Sequence, residues 1–213
     1  MKKKCIIFGA GTYSQVYTNY LSDSYDVVGY IDDAEKYKDA VVNGIKVLGN
    51  SDFLFEKLDR SLAVFVPIGD NNIRVSILEK LKESGFETPS FIHKDTIIHK
   101  SVEIGQAVYI LPATNVMPST TIGDYTMVSM GVNIAHHNLI EKGCFFSQGV
   151  NIGASVHIQE KAYFGIGSTL MTGVKTVGRN SLIGAGAVII RDVPDGAVLV
   201  GNPGKIIRTK EII

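Results

Sequence analysis

Between residues 98 and 170 large apolar side chains recur at every sixth position: Ile98, Ile104, Ile110, Val116, Ile122, Val128, Ile134, Ile140, Phe146, Ile152, Ile158, Phe164 and Leu170. The position two residues before each is small or β-branched (Val102, Val108, Thr114, Thr120, Thr126, Val132), with Asn138 as the departure. A period of six fits neither an α-helix, at 3.6, nor an ordinary strand, at 2. It fits a parallel β-helix built of short strands and turns, in which three units make one triangular coil of about 18 residues. An ordinary β-sandwich would need the same rhythm to arise by chance across the whole stretch.

In that reading the large residue and the small one two places earlier both face inward, and the coils bury their interior by stacking on one another. Gly105, Gly123, Gly153 and Gly165 each directly follow an inward residue, and are expected where the chain turns. After Leu170 the phase slips by one residue before continuing at Val177, Ile183 and Ile189, which predicts a small loop at one corner. Asp192–Gly196 reads as a turn and Val198–Val200 as a final strand, after which Gly201-Asn202-Pro203-Gly204-Lys205 leads out.

Residues 1–90 lack the rhythm, and the boundary falls in 85–97. Strands are predicted at 4–8, 26–31 and 62–68, with helical runs after the first glycine loop and over 73–83. Alternating strands and helices imply a small Rossmann-like parallel α/β domain. Gly9-Ala10-Gly11 follows the first strand, Asp32 and Asp33 close the second, and Gly69-Asp70 closes the third. This is a nucleotide-site arrangement: backbone N–H groups at the start of the helix receive phosphate oxygens, and the acids accept from ribose or base. Ser14 stands where the dinucleotide fingerprint expects a third glycine, so the loop by itself does not argue for hydride transfer.

The 213 residues give room for two domains, 1–90 and 91–213. Lys and Arg number 21, as do Asp and Glu, and no basic block points to nucleic acid. No stretch is long and apolar enough to span a bilayer. The apolar run after Met1-Lys2-Lys3-Lys4 is too short for a secretory signal. Cys5 and Cys144 both fall in apolar strand patterns and read as buried thiols, which places the chain in the cytoplasm.

Phe8-Gly9-Ala10-Gly11, Tyr30-Ile31-Asp32-Asp33, Ile68-Gly69-Asp70-Asn71, the six-residue repeat and Gly201-Asn202-Pro203-Gly204-Lys205 together resemble the bacterial sugar acyltransferases related to sialic acid O-acetyltransferase and to the bacillosamine and perosamine N-acetyltransferases. The resemblance implies a left-handed β-helix, a homotrimer with active sites between neighbouring prisms, acetyl-CoA as donor and a nucleotide-activated amino sugar as acceptor, with no metal. It places the catalytic base in a repeat turn of the form apolar-x-His-acid-x-apolar-Ile. Ile134-Ala135-His136-His137-Asn138-Leu139-Ile140 matches without a gap, making His136 the base, with His137 beside it. A histidine suits the task because it titrates near neutrality.

Two departures stand out. The family's acid after the base is His137 here, and Phe145 occupies the place of a second histidine that contacts the thioester region. A free amine is a better nucleophile than a hydroxyl, so these losses favour N-acylation. By the same resemblance, Phe145, Ile166 and Ala185 contact CoA, and Pro203 and Lys205 meet its adenosine end. Gly11, Thr12 and Tyr13 line the sugar-nucleotide phosphates, Asp32 and Asp33 meet base or ribose, and Gly69 forms the far wall. Asn138 is expected to be structural, within the prism or at the His136 turn. The function expected is N-acetylation of a UDP- or dTDP-linked 4-amino-4,6-dideoxy sugar for a surface glycan such as lipopolysaccharide O-antigen. The alternatives are an O-acetyltransferase of the sialic acid type and a catalytically weakened trimer that binds sugar nucleotides. A metal-dependent hydratase of the γ-carbonic anhydrase type would need His136, His137 and His157 to converge on an ion.

Overall fold

The computed structural model describes residues 2–210, which divide into two compact units at Ser90/Phe91. The first holds a five-stranded sheet. Its strands are β1 (Lys3–Phe8), β2 (Tyr25–Ile31), β3 (Val41–Val42), β4 (Ile45–Gly49) and β5 (Ala63–Phe65), in the order β3-β4-β2-β1-β5. All pairings are parallel except the β3–β4 hairpin at one edge. Three helices, α1 (Thr12–Leu21), α2 (Ser51–Lys57) and α3 (Asn71–Glu83), connect or follow the strands. From β1 the chain winds out to β2 and β4, then returns to place β5 on the other side of β1. The topological switch point is therefore at the carboxyl ends of β1 and β5, where open α/β sheets bind ligands.

Sequence and structure differ here in two places. The third strand, expected over 62–68, stops at Phe65. Pro67 offers no N–H to continue the ladder, and Ile68 N–H turns back to the Val66 carbonyl at 2.8 Å. The β3–β4 hairpin and α2 were not anticipated. Yet Asn43-Gly44, with φ of +50° and +78°, is the two-residue turn that marks a hairpin in sequence.

The second unit is a left-handed parallel β-helix with three faces. The first face stacks Ile97–Ile98, Asn115–Val116, Asn133–Ile134, Asn151–Ile152, Thr169–Leu170 and Val188–Ile189. The second stacks Glu103–Ile104, Thr121–Ile122, Leu139–Ile140, His157–Ile158 and Thr176–Val177. The third runs from Phe91–Ile92 through Tyr109–Ile110, Met127–Val128, Phe145–Phe146 and Tyr163–Phe164 to Leu182–Ile183. Equivalent residues pair 18 apart from one coil to the next, and 19 apart across the phase slip, as in His157 with Thr176. The inward columns form one continuous core, in which Phe146 and Phe164 stack at 5.0 Å. Fully burying each such side chain contributes about 1.5–3 kcal/mol. The inward Thr114, Thr120 and Thr126 donate their hydroxyls to carbonyls of the coil above, so the small column satisfies polar backbone as well as filling space.

The turn glycines have a different role from the one expected. Gly105, Gly123, Gly153 and Gly165 have no positive φ; the left-handed residue comes three places after the inward one, at Ala107, Tyr125, Ser155 and Gly167. What the four glycines provide is clearance: a Cβ on Gly153 would lie 2.4 Å from Thr172 N, and one on Gly165 2.6 Å from Ala185 N. The phase slip is a local loop at Gly173, φ +107°, bracketed by a Thr172–Val174 bridge. The closing segment does not simply lead out: after Ala197–Val200 the chain reverses through Gly201–Gly204, and Lys205–Thr209 pairs antiparallel with it. No helix among the described residues is long and apolar enough to cross a membrane.

Candidate active site

The turn carrying His136 and His137 lies at the corner between the first and second faces, and both imidazoles are exposed. The corner is held from within. Asn138, 2 % exposed, donates from Nδ2 to the Ala135 carbonyl at 2.7 Å, and its Oδ1 accepts from Val156 N–H at 2.9 Å. Thr120 Oγ1, from the coil below, donates to the same Ala135 carbonyl at 2.9 Å and accepts from Asn138 N–H at 3.3 Å. From outside, His137 N–H donates to Pro118 O at 3.1 Å, and Ser155 N–H to His136 O at 3.0 Å. The one amide in the inward small column between Val102 and Ser168 is thus the one behind the histidine turn. The two rings meet Nδ1 to Nδ1 at 2.9 Å, nearly perpendicular.

The residues expected to contact CoA gather elsewhere, along the third face and its corner with the first. Ile166 and Ala185 are exposed at that corner in successive coils, and Gly186 N–H donates to Ile166 O at 2.8 Å. The Gly201–Gly204 turn continues the line: Val188 N–H donates to Gly201 O and Gly204 N–H to Val188 O. This leaves Pro203 and Lys205 exposed at its end, after the cis Asn202–Pro203 bond. Phe145 sits one coil below on the third face. It is only 6 % exposed and stacks flat on Tyr163 at 5.1 Å, so its face is engaged within the chain. Within one chain, then, His136 and the Ile166–Ala185 line flank opposite edges of the first face. Between them that face bears a groove of about 420 Å³. A ladder of amides runs along it, Asn115 donating to Asn133 and Asn133 to Asn151, each at 2.9 Å. His157 does not join the other histidines; its Nε2 meets Glu141 Oε1 at 2.6 Å on the second face. Among the described residues no group of three or more His, Cys, Asp or Glu is arranged to hold a metal.

In the first unit, Gly11 precedes α1 with no side-chain cap, while α2 and α3 are capped by Asn50 and Asp70. The amino end of α1, with Thr12 exposed and Tyr13 half-buried edge-on to Tyr17, presents the positive end of a helix dipole, which attracts phosphate. Gly9, at φ +94°, lies where a Cβ would come 3.1 Å from Ser14 Oγ and 3.4 Å from Ile68 Cγ1, which brings the two glycine loops together at the switch point. Gly69 is half-buried beside it.

The two acids are less free than expected. Asp32 accepts from Ala10 N–H at 2.7 Å and from Ala34 N–H at 2.8 Å, one to each oxygen. Asp33 accepts from Ser51 N–H at 2.6 Å. Asp32 therefore ties the glycine loop to the end of β2, and both acids border a cavity of about 370 Å³ beside Lys38, Asn50 and Phe53. Arg74 was missed. Fully buried, it donates to the Ile68 carbonyl and to Asn71 Oδ1, both at 2.8 Å, and so holds the second loop. The available signal was an arginine on the apolar face of α3, in step with Asn71, Val75, Leu78 and Leu81.

Residues 4–81 match the PglD N-terminal domain. Over nearly the full chain the structure is similar to the acetyltransferase domain of PglB from Neisseria gonorrhoeae FA1090, at 29 % identity and a TM-score of 0.90, covering 97 % of this chain and 100 % of that one. That domain is also known in complex with acetyl coenzyme A. PerB from Caulobacter crescentus, in complex with CoA and GDP-perosamine, is 27 % identical with a TM-score of 0.88, covering 97 % of each chain. Among curated proteins, the galactoside O-acetyltransferase of Escherichia coli (strain K12) is 33 % identical over 94 residues, 41 % of this chain and 43 % of that protein. The chain spans less than half the length of the curated relatives it matches. The resemblance read from the sequence holds: a PglD-type amino-terminal domain precedes the left-handed β-helix of the acetyltransferases.

Proposed function

We propose that this chain is an acetyl-CoA-dependent N-acetyltransferase that acts on a nucleotide-linked 4-amino-4,6-dideoxy sugar destined for a surface glycan. The observation that carries the reading is the exposed imidazole turn on a β-helix corner, anchored from inside by Asn138. The amine nitrogen attacks the thioester carbonyl carbon, and His136 takes its proton. The C–S bond then breaks, and the proton passes to the departing thiolate of CoA. No covalent enzyme intermediate is needed.

In this reading the uncapped start of α1 (Gly11, Thr12, Tyr13) receives the diphosphate, Asp33 and the cavity beside it take ribose or base, Asp32 holds the loop, and Gly69 forms the far wall. Ile166 and Ala185 present backbone groups to the pantetheine arm, Phe145 lies beside its thioester end, and Pro203 and Lys205 meet the adenosine end. The opposite placement of His136 and the CoA line across the first face supports a cyclic homotrimer. With the first face turned toward the neighbouring copies, one copy's histidine corner approaches the next copy's CoA corner, and each site draws on two chains. UDP and dTDP are the nucleotides expected from the sequence, and the GDP-perosamine bound by PerB adds GDP to those worth testing.

The test is CoA release and product mass with acetyl-CoA and a panel of UDP-, dTDP- and GDP-linked 4-amino sugars, on wild type and His136→Ala. An N-acetylated product that falls by about 10²-fold or more in the variant supports the reading. Product undiminished in the variant removes His136 from its role. Transfer only to hydroxyl acceptors supports the O-acetyltransferase alternative, which the match to a galactoside O-acetyltransferase favours.

A further inference from the structure

The residue after the base is not a missing carboxylate but a second imidazole in direct contact. His136 Nδ1 and His137 Nδ1 are 2.9 Å apart. At that separation two ring nitrogens share one proton: one ring donates and the other accepts. The donor state matters. If His136 donates through Nδ1–H, its Nε2 carries a lone pair and accepts a proton; if His136 accepts, its Nε2 carries the hydrogen and is no base. We propose that His137 is a positioning residue that accepts from His136 Nδ1–H and so holds His136 in the tautomer with a free Nε2, an inference that rests on the acyltransferase reading above.

The surroundings leave that choice to the pair. The peptide that joins the two residues is fixed between coils, its N–H on Pro118 O below and its carbonyl on Ser155 N–H above, which leaves the rings their side-chain freedom. The corner residues directly below and above, Pro118, Ser119, Ala154 and Ser155, carry no ionisable side chain. When the amine is deprotonated, the His136 imidazolium still donates Nδ1–H to His137, now as a charge-assisted hydrogen bond. An imidazole in this place brings no fixed negative charge to the turn, unlike the carboxylate it replaces. That arrangement suits the nitrogen of the addition intermediate, which gives up its proton far more readily than a hydroxyl does.

The backbone makes the test clean. His137 has φ +58°, a left-handed conformation in which glycine is unstrained and asparagine is tolerated. His137→Gly thus removes the ring while keeping the turn, and His137→Asn supplies an amide oxygen as substitute acceptor. The experiment pairs side-chain ¹⁵N NMR of the histidines, with His136 assigned by loss of its signals in His136→Ala, with steady-state kinetics on an amine acceptor. Wild type is expected to show His136 as the Nδ1–H tautomer. His137→Gly should show mixed tautomers and a kcat lower by about tenfold or more, with KM for both substrates unchanged. His137→Asn should return kcat to within a few-fold of wild type. A His137→Gly protein that keeps both tautomer and kcat overturns the proposal, as does a loss of kcat that asparagine does not repair. Should wild type transfer no acetyl group, the tautomer shift still decides the pairing, while the acyltransferase reading falls separately.

Discussion

The side-chain amide of Asn138 donates to the Ala135 carbonyl at 2.7 Å and so closes the His136–His137 turn from inside the prism. Its oxygen meanwhile receives Val156 N–H from the next coil. Replacing Asn138 with valine, the commoner occupant of that column, leaves the buried Val156 N–H without its acceptor. The expected cost is about 1–3 kcal/mol of stability. Because Thr120 still holds the Ala135 carbonyl, the prism should fold. The loss should appear in the urea midpoint together with a reduced kcat, with KM for acetyl-CoA little changed.

Asp32 links the first glycine loop to the end of β2 through Ala10 N–H, and its other oxygen holds Ala34 N–H. In Asp32→Asn one of these donors faces an NH₂ group instead of an oxygen. The loop that precedes α1 should loosen, and affinity for the sugar nucleotide should fall by about tenfold, roughly 1.4 kcal/mol. Titration calorimetry with the nucleotide sugar reads this directly. Unchanged affinity would confine Asp32 to stability.

Burial pushes the Cys5 thiol up to about 12, from an ordinary 9.0, with Asp26 adding to the shift. In the unfolded chain the thiol ionises near its ordinary value, so from about pH 9 to about 12 the unfolded state binds fewer protons than the native one. Stability should therefore fall as pH rises through that window, by at most about 1.4 kcal/mol per pH unit from this group. Tyr25 and Tyr30, also raised chiefly by burial, act in the same direction above their ordinary value of 10.0. Denaturation midpoints from pH 8 to 11 should slope downward, and less steeply in Cys5→Ala. Alkylation of native protein at pH 8 should be slow, because Cys5 is fully buried.

Much of this molecule is legible along the chain, because a β-helix writes its geometry as a period. Each coil brings the same position to the same corner, so inward columns, faces and the outward placement of His136 all follow from counting in sixes. The strand–glycine–helix order of the first unit is likewise local. The hairpin at Asn43-Gly44 was legible too, although its two short strands hide it.

What only the tertiary structure decided depends on contacts one coil apart or on side-chain rotamers. The four corner glycines look like turn residues in sequence, yet clearance from the coil above explains them. Asn138 is the one amide in a column of valines, threonines and other small residues until the next coil shows which backbone groups it serves. Asp32 resembles a ligand residue until the folded loop delivers two peptide N–H groups to it. The partner of His136 is named in the sequence as its neighbour. Whether two adjacent imidazoles turn apart or share a proton is set by the rotamers that the fixed corner allows, and no period encodes that.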